Sequence, residues 1–216
     1  KSLCQQLLGL EEQPAKGSVL WEGEGAVDVS MLPPTMPGVA SRLLFDRQLG
    51  VFVGDSRPES VAAVKAALQG KFAEKAGLMD RLSLIDDPQV RLQLLRACVS
   101  ARPGFWLRTM SPALTADAAA WYDSRMRACL SDLLAAPVPD LSWLVATLPC
   151  RLGGLGITPA HASRCHAHYA SWSASWHSIT RMFPHAISIT HDDLPACPLP
   201  FAVGLRASAI HPSLPS

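Results

Sequence analysis

Apolar residues recur along this chain at two different spacings, and the change between them separates a short extended region from a long helical one. Residues 2–10, SLCQQLLGL, set Leu3, Leu7, Leu8 and Leu10 at helical spacing, and Gly9 ends the run. A proline-containing turn in EEQPAKGSVLW then feeds a short apolar strand candidate, Ser18 to Trp21. Residues 22–40 are rich in proline and glycine around AVDVS and read as a loop or weak hairpin. Leu49 to Val53, with Gly50 inside it and Gly54 behind, is a second strand candidate, and DSRPES supplies turn residues and a helix start.

From there the period is helical. Glu59 to Ala76 carries Val61, Val64, Leu68 and Phe72 on one side, with Lys71 and Lys75 spaced i, i+4 on another. In Asp86-Asp87-Pro88, Asp87 can cap the free amides of a first turn while Pro88 takes the position where a missing N–H costs nothing. Val90, Leu94, Ala97 and Ala101 then line one face up to Pro103-Gly104. Thr115 is expected to cap the next helix, whose core stripe is Tyr122, Met126, Cys129, Leu130 and Leu133. A last long helix is expected from about Pro159 to Met182, with Cys165, Tyr169, Trp172 and Trp176 as its core stripe. After Asp192 the chain is rich in Pro, Ser and Ala, and little fixed structure is expected there. The fold class that follows is mainly α with a small N-terminal β element.

Composition narrows the class. The 216 residues are 49% hydrophobic with net charge +1, which describes a globular chain and excludes collagen, coiled coil and mucin-like stalk. Between Ser41 and Leu130 there are 13 Lys/Arg against 9 Asp/Glu, so the middle is mildly basic and permits an anionic partner without demanding one. Six scattered cysteines without a C-x-x-C pattern read as reduced core thiols of an intracellular protein. No apolar stretch is long enough to span a bilayer, and no secretion signal opens the chain. The first residue, Lys1, points to a piece of a longer product.

Several groups could carry chemistry. Gly153-Gly154-Leu155-Gly156 matches neither the dinucleotide fingerprint nor the P-loop, and reads as a tight turn opening the last helix in preference to a phosphate cradle. Asp86-Asp87 reads as a cap, and Asp192-Asp193 precedes a proline-rich tail, so neither pair is expected to hold catalytic metals. His161, Cys165 and His168 fall at i, i+4, i+7 and could bind zinc with a fourth ligand from His191 or Cys197, or could simply edge the core stripe. A hydrolase triad lacks its G-x-S-x-G elbow.

The order of four segments adds what none carries singly. GLEEQPAKGSVLW (9–21), RQLGVFVGD (47–55), DDPQVRLQLLRAC (86–98) and LPCRLGGLGI (148–157) together resemble the downstream half of a reverse transcriptase of the non-LTR retrotransposon type, over about residues 3–182. That resemblance implies a residual palm segment with short strands at 1–56, a helical thumb and extension at 57–188, and a proline-rich tail at 189–216. It implies a fragment of an RNA-directed DNA polymerase, inactive alone because the Tyr-x-Asp-Asp and the upstream metal-binding Asp are absent. Pro14 and Lys16 match the palm's Pro-x-Lys, where the lysine lies near the nucleotide phosphates. Leu49, Gly50 and Gly54 match the strand that supports the primer end, and Lys71, Lys75, Arg81, Arg91, Arg102 and Arg151 become candidates for contact with the duplex backbone.

No cofactor is implied for the fragment, and Mg²⁺ only for the intact polymerase. The implied partners are an RNA/DNA template–primer duplex and the missing upstream palm and fingers segment, with no membrane. The family pattern departs at Gln13, in place of the usual Asn, and at Gly17, after the lysine. A helical interaction module adopted by its host, with no nucleic-acid role, is the alternative.

Overall fold

The computed structural model describes residues 45–54 and 57–182. The helix expected at 2–10, the strand at 18–21, Lys16, the Asp192-Asp193 pair and the tail lie outside the described residues. Among the described residues the chain is mainly helical, with a two-stranded β element ahead of the helices. It divides into two compact units, Lys1–Ala67 and Leu68–Ser216, and the division falls inside a continuous helix.

In the first unit, β1 (Phe45–Gln48) and β2 (Val51–Gly54) pair antiparallel, with Phe45 opposite Gly54 and Gln48 opposite Val51. Leu49 and Gly50 are the two-residue connection, with φ of +50° and +89°. Positive φ at both central residues lets the turn follow the right-handed twist of the strands. This corrects the expectation of a strand over Leu49–Val53, since the chain reverses at Leu49-Gly50 and the strand begins at Val51. The sequence signal was weak because Leu, unlike Asn or Asp, rarely takes the left-handed region.

The first helix, α1, runs Pro58–Leu82, past the expected end at Ala76 by more than one and a half turns. Val64, Leu68, Phe72, Ala76, Met79 and Leu82 are buried along it at helical spacing, and that continuous stripe carries the helix through Gly70 and Gly77. Each glycine costs about 1 kcal/mol relative to alanine in a helix interior, less than burying one large apolar side chain returns.

The second unit holds the remaining helices. In α2 (Pro88–Leu94), Asp87 Oδ1 accepts from the Gln89 and Val90 amides at 2.8 and 3.2 Å, with Pro88 behind it, as the sequence predicts. A π turn follows at Leu95–Val99, closed by the Ser100 amide donating to the Leu95 carbonyl at 3.1 Å. The wider turn rotates the face. Leu95, Val99 and Ser100 are buried, whereas Val90, Ala97 and Ala101 of the expected stripe are exposed and Leu94 is half-buried.

A short helix missed by the sequence reading, α3 (Gly104–Thr109), comes next, then α4 (Pro112–Leu134). Thr115 is not the cap of α4. It lies one turn inside, its hydroxyl donating to the Ser111 carbonyl at 3.3 Å, because the helix starts at Pro112, which takes the first position as Pro88 does in α2, while the Ser111 side chain makes no cap bond. The stripe Tyr122, Met126, Cys129 and Leu130 is buried, and Leu133 is half-buried. After α4 come α5 (Asp140–Thr147), which the sequence reading also missed, a 3₁₀ turn (Cys150–Leu152) and α6 (Ala160–Met182).

Aromatic rings join these elements. Phe72 meets Tyr122 edge-on at 5.8 Å and Trp106 at 5.9 Å, and the Tyr122 hydroxyl donates to the buried Val99 carbonyl at 2.9 Å. Burial raises the Tyr122 phenol to about 12.

Helix α6 packs on α3 and α4. Asp123 of α4 accepts from the Ala160 and His161 amides at 2.7 and 2.9 Å, so a side chain from another helix caps α6. Burial raises the Asp123 carboxyl against the opposing pull of those two amides. The aromatic stripe expected in the α6 core is only half-buried at Tyr169, Trp172 and Trp176. Among the described residues of α6, Ala160 and His168 are buried; His168 Nδ1 lies 3.2 Å from the Arg108 carbonyl and its ring meets Trp172 edge-on. A backbone carbonyl at the end of α3 selects a ring with an N–H for that position.

Two outcomes follow for stability. Replacing Asp87 by Ala leaves two amides of α2 without a side-chain acceptor and should cost about 1 kcal/mol in denaturant unfolding. Burial holds His168 below its ordinary value of 6.5 although the Arg108 carbonyl pulls the other way. The unfolded chain then binds a proton that the folded chain refuses, so the contribution of neutral His168 is present above pH 6.5 and lost as pH falls from there through the folded value. The urea midpoint should drop on acidification from neutral, and the drop should be smaller in His168→Gln; equal drops in both chains would assign the loss to other groups.

Candidate nucleic-acid interface

The six cations singled out in the sequence fall into different environments. Lys71 and Lys75 lie half-buried on α1 and both bind Glu74, at 2.7 and 3.3 Å. Their hydrogen bonds and charges, Lys71's first, lower the exposed Glu74 carboxyl. Lys75 also sits 5.8 Å over the Trp106 ring. Arg81, in the last turn of α1, is exposed, as are Arg102 after the π turn and Arg151 in the 3₁₀ turn. None of these three has an ion-pair partner among the described residues.

Two of the six approach one place. Lys75 reaches the Trp106 ring of the aromatic cluster, and Arg102 acts electrostatically on the Tyr122 hydroxyl of the same cluster. Arg91 acts elsewhere, with Asp132, Arg125 and Asp80, charges of mixed sign that are felt at the buried Cys129 thiol; burial pushes that thiol up. Arg125 is paired with Asp80 at 2.8 Å there. In the first unit Leu49 is 99% exposed at the hairpin tip, with Gly50 beside it, and Gly54 ends β2.

The glycine run is a structural joint. Gly153 and Gly156 have φ of +82° and +68°, and a Cβ on Gly154 would lie 2.1 Å from the Leu148 carbonyl oxygen. The amides of Gly153, Gly154, Leu155, Gly156 and Ile157 donate to the carbonyls of Cys150, Pro149, Ala146, Leu148 and Ala146 respectively. With every one of those donors used inside the protein, and the first amides of α6 taken by Asp123, this turn has no amides left to cradle a phosphate.

An arginine outside the sequence shortlist lines the groove beside this joint. Arg96 of the π turn donates from Nη1 toward Cys150 Sγ at 3.0 Å and from Nη2 to Gln93 at 2.9 Å. It lines an open groove of about 630 Å³ with Thr147, Cys150, Gly156 and Thr158. The sequence carried no signal for this, because the π turn that places Arg96 has no pattern of its own.

Cys98 and Cys150 are exposed and Cys165 is half-buried, so of the four described cysteines only Cys129 is a core thiol. No three of His, Cys, Asp or Glu gather closely enough to hold a metal ion among the described residues. His161 is exposed and His168 directs Nδ1 at the Arg108 carbonyl, while His191 and Cys197, the fourth ligands weighed for zinc, lie outside the described residues. No described helix is long and apolar enough to cross a membrane.

Compared with models of protein families, with curated proteins and with solved structures, the chain finds no match in any of the three.

Gly154→Ala should unsettle the joint by more than the ordinary glycine-to-alanine change, with a loss of about 1–3 kcal/mol, because the clash is with backbone that cannot rotate away. Gly153→Ala meets open space and suffers only the left-handed φ. Unfolding curves of the two variants check the order; equal losses would show that φ, not contact, governs the turn.

Proposed function

We propose that this chain is the downstream part of a reverse transcriptase of the non-LTR retrotransposon type, the end of its palm followed by a helical thumb and extension. Its own activity is sequence-tolerant binding of a template–primer duplex through the phosphate backbone. The four motifs in family order carry the reading. The order calls for a strand at the RQLGVFVGD segment and then helices; the short β element followed by helices agrees with it in outline only, since the chain reverses at Leu49-Gly50.

The chemistry asked of these residues is charge neutralisation. Arg81 and Arg102, exposed and without carboxylate partners among the described residues, are the cations best able to meet phosphates, and Arg151 is the third. Lys71 and Lys75 would first have to release Glu74, so their share is smaller. Arg91 and Lys16 complete the candidate set carried by the resemblance. Two-metal polymerisation needs a Tyr-x-Asp-Asp that these 216 residues do not contain, so synthesis is assigned to a longer product and binding alone to this chain.

Fluorescence anisotropy with a labelled RNA/DNA hybrid at low salt tests the proposal. The wild type should bind with an affinity that falls steeply with salt, and Arg81→Ala and Arg102→Ala should each reduce the salt slope by about 1 without changing sequence preference. Lys71→Ala should have the smaller effect. Absence of binding at the lowest salt would overturn the nucleic-acid role and leave the second reading, a helical interaction module, which the solvent-facing apolar stripe of α5 favours.

A further inference from the structure

Helix α3 buries one side and presents on the other a single aromatic ring set between cations. Trp106, Leu107 and Met110 are buried, whereas Arg102, Phe105, Arg108 and Thr109 are exposed. The Gly104 and Leu107 amides donate to the Ala101 and Pro103 carbonyls, both at 3.1 Å, so the chain already turns as a helix at Arg102. Arg102, Phe105 and Arg108, three residues apart, therefore follow one another along the solvent face.

Phe105, 44% exposed, is the only Phe, Tyr or Trp that stands exposed among the described side chains. Its edge-on contact with buried Trp106, 5.8 Å between centroids, anchors the ring and uses at most one of its faces. Trp106 is held in turn by Phe72 at 5.9 Å and by Lys75 at 5.8 Å. The Arg108 guanidinium lies back along the helix, 3.6 Å from where a Cβ on Gly104 would stand, one residue from Phe105. Neither Arg102 nor Arg108 has a carboxylate partner among the described residues, and the exposed side of α3 carries no acidic side chain. Two unneutralised guanidiniums call for anionic groups on both sides of the ring, and the open ring face calls for a flat apolar body between them. A single nucleic-acid strand has that alternation of phosphate and base, whereas a base inside a duplex keeps both faces stacked on its neighbours.

We propose that Arg102, Phe105 and Arg108 form a stacking site for an unpaired base, with Phe105 taking the base and the two arginines the flanking phosphates. The inference rests on the nucleic-acid binding proposed above and narrows the substrate to a duplex with a single-stranded extension. The ring supplies affinity that salt does not remove, and the arginines supply the salt-sensitive part.

Fluorescence anisotropy on the full chain tests this with a labelled RNA/DNA hybrid carrying a single-stranded extension, set against the same hybrid with an abasic extension of equal length. The two probes hold the same phosphates and differ only in their bases. The wild type should bind the base-bearing extension at least ~10-fold more tightly, with equal salt slopes for the two probes. Phe105→Leu, with an unchanged circular-dichroism spectrum, should bind both probes alike, and Phe105→Tyr should keep the preference. Arg108→Ala leaves the backbone carbonyl that faces His168 in place, and should lower the salt slope by about 1 for both probes. Equal wild-type affinity for the two probes, or a Phe105→Leu chain that still prefers the base-bearing one, overturns the stacking site and leaves backbone binding standing. No binding of either probe at the lowest salt overturns the site and the nucleic-acid reading together.

Discussion

Asp123 reaches across from α4 to accept the first two free amides of α6, the nearer of them 37 residues further along the chain. One carboxylate therefore fixes where the last helix begins and which way it points. The neighbouring residue, Tyr122, turns inward to Phe72 of α1 and to the Val99 carbonyl at the π turn. Two consecutive side chains on one turn of α4 thus hold α1, the π turn and α6 together. Burial of the carboxylate works against its charge, and the two amides answer it; removing the Asp123 side chain would leave the amide of buried Ala160 without that acceptor.

With α6 set in this way, the glycine joint ahead of it has little freedom. The backbone must leave α5, fold back to place the Leu155 and Ile157 amides on the Ala146 carbonyl, and arrive at Ala160 in line with Asp123. Three glycines meet that requirement through two left-handed residues and one position too tight for a Cβ. The same return path holds α5 by its Ala146 side and leaves Leu141, Leu144, Val145 and Leu148 facing outward. An exposed apolar surface is therefore a consequence of how the joint closes.

Charge is organised differently. The basic residues of the middle region do not form one stripe: Lys71 and Lys75 share the single carboxylate of Glu74, Arg125 pairs with Asp80 and Arg127 with Asp140, which leaves Arg81, Arg102 and Arg108, and Arg151 further along, exposed without a carboxylate partner among the described residues. A binding surface built from so few unpaired cations holds a polyanion weakly and loses it in salt, as the proposed role requires.

The sequence by itself determined the elements that depend on neighbours in the chain. The Asp87-Pro88 start, the Tyr122–Leu130 stripe, the span of α6 and the placement of all described strands ahead of the helices follow from capping, periodicity and turn chemistry, which act over a few residues. The helix at 140–147 was not anticipated, and although Leu141, Leu144, Val145 and Leu148 stand at helical spacing in LSWLVATL, spacing does not record the side they face. Tertiary structure decided that, along with the π turn that rotated the α2 face, the continuation of α1 through two glycines, the His168 seat against Arg108 and the capping of α6 by Asp123. Each of these depends on a partner many residues away, and hydrophobic spacing records that a side chain is apolar without recording what it will meet.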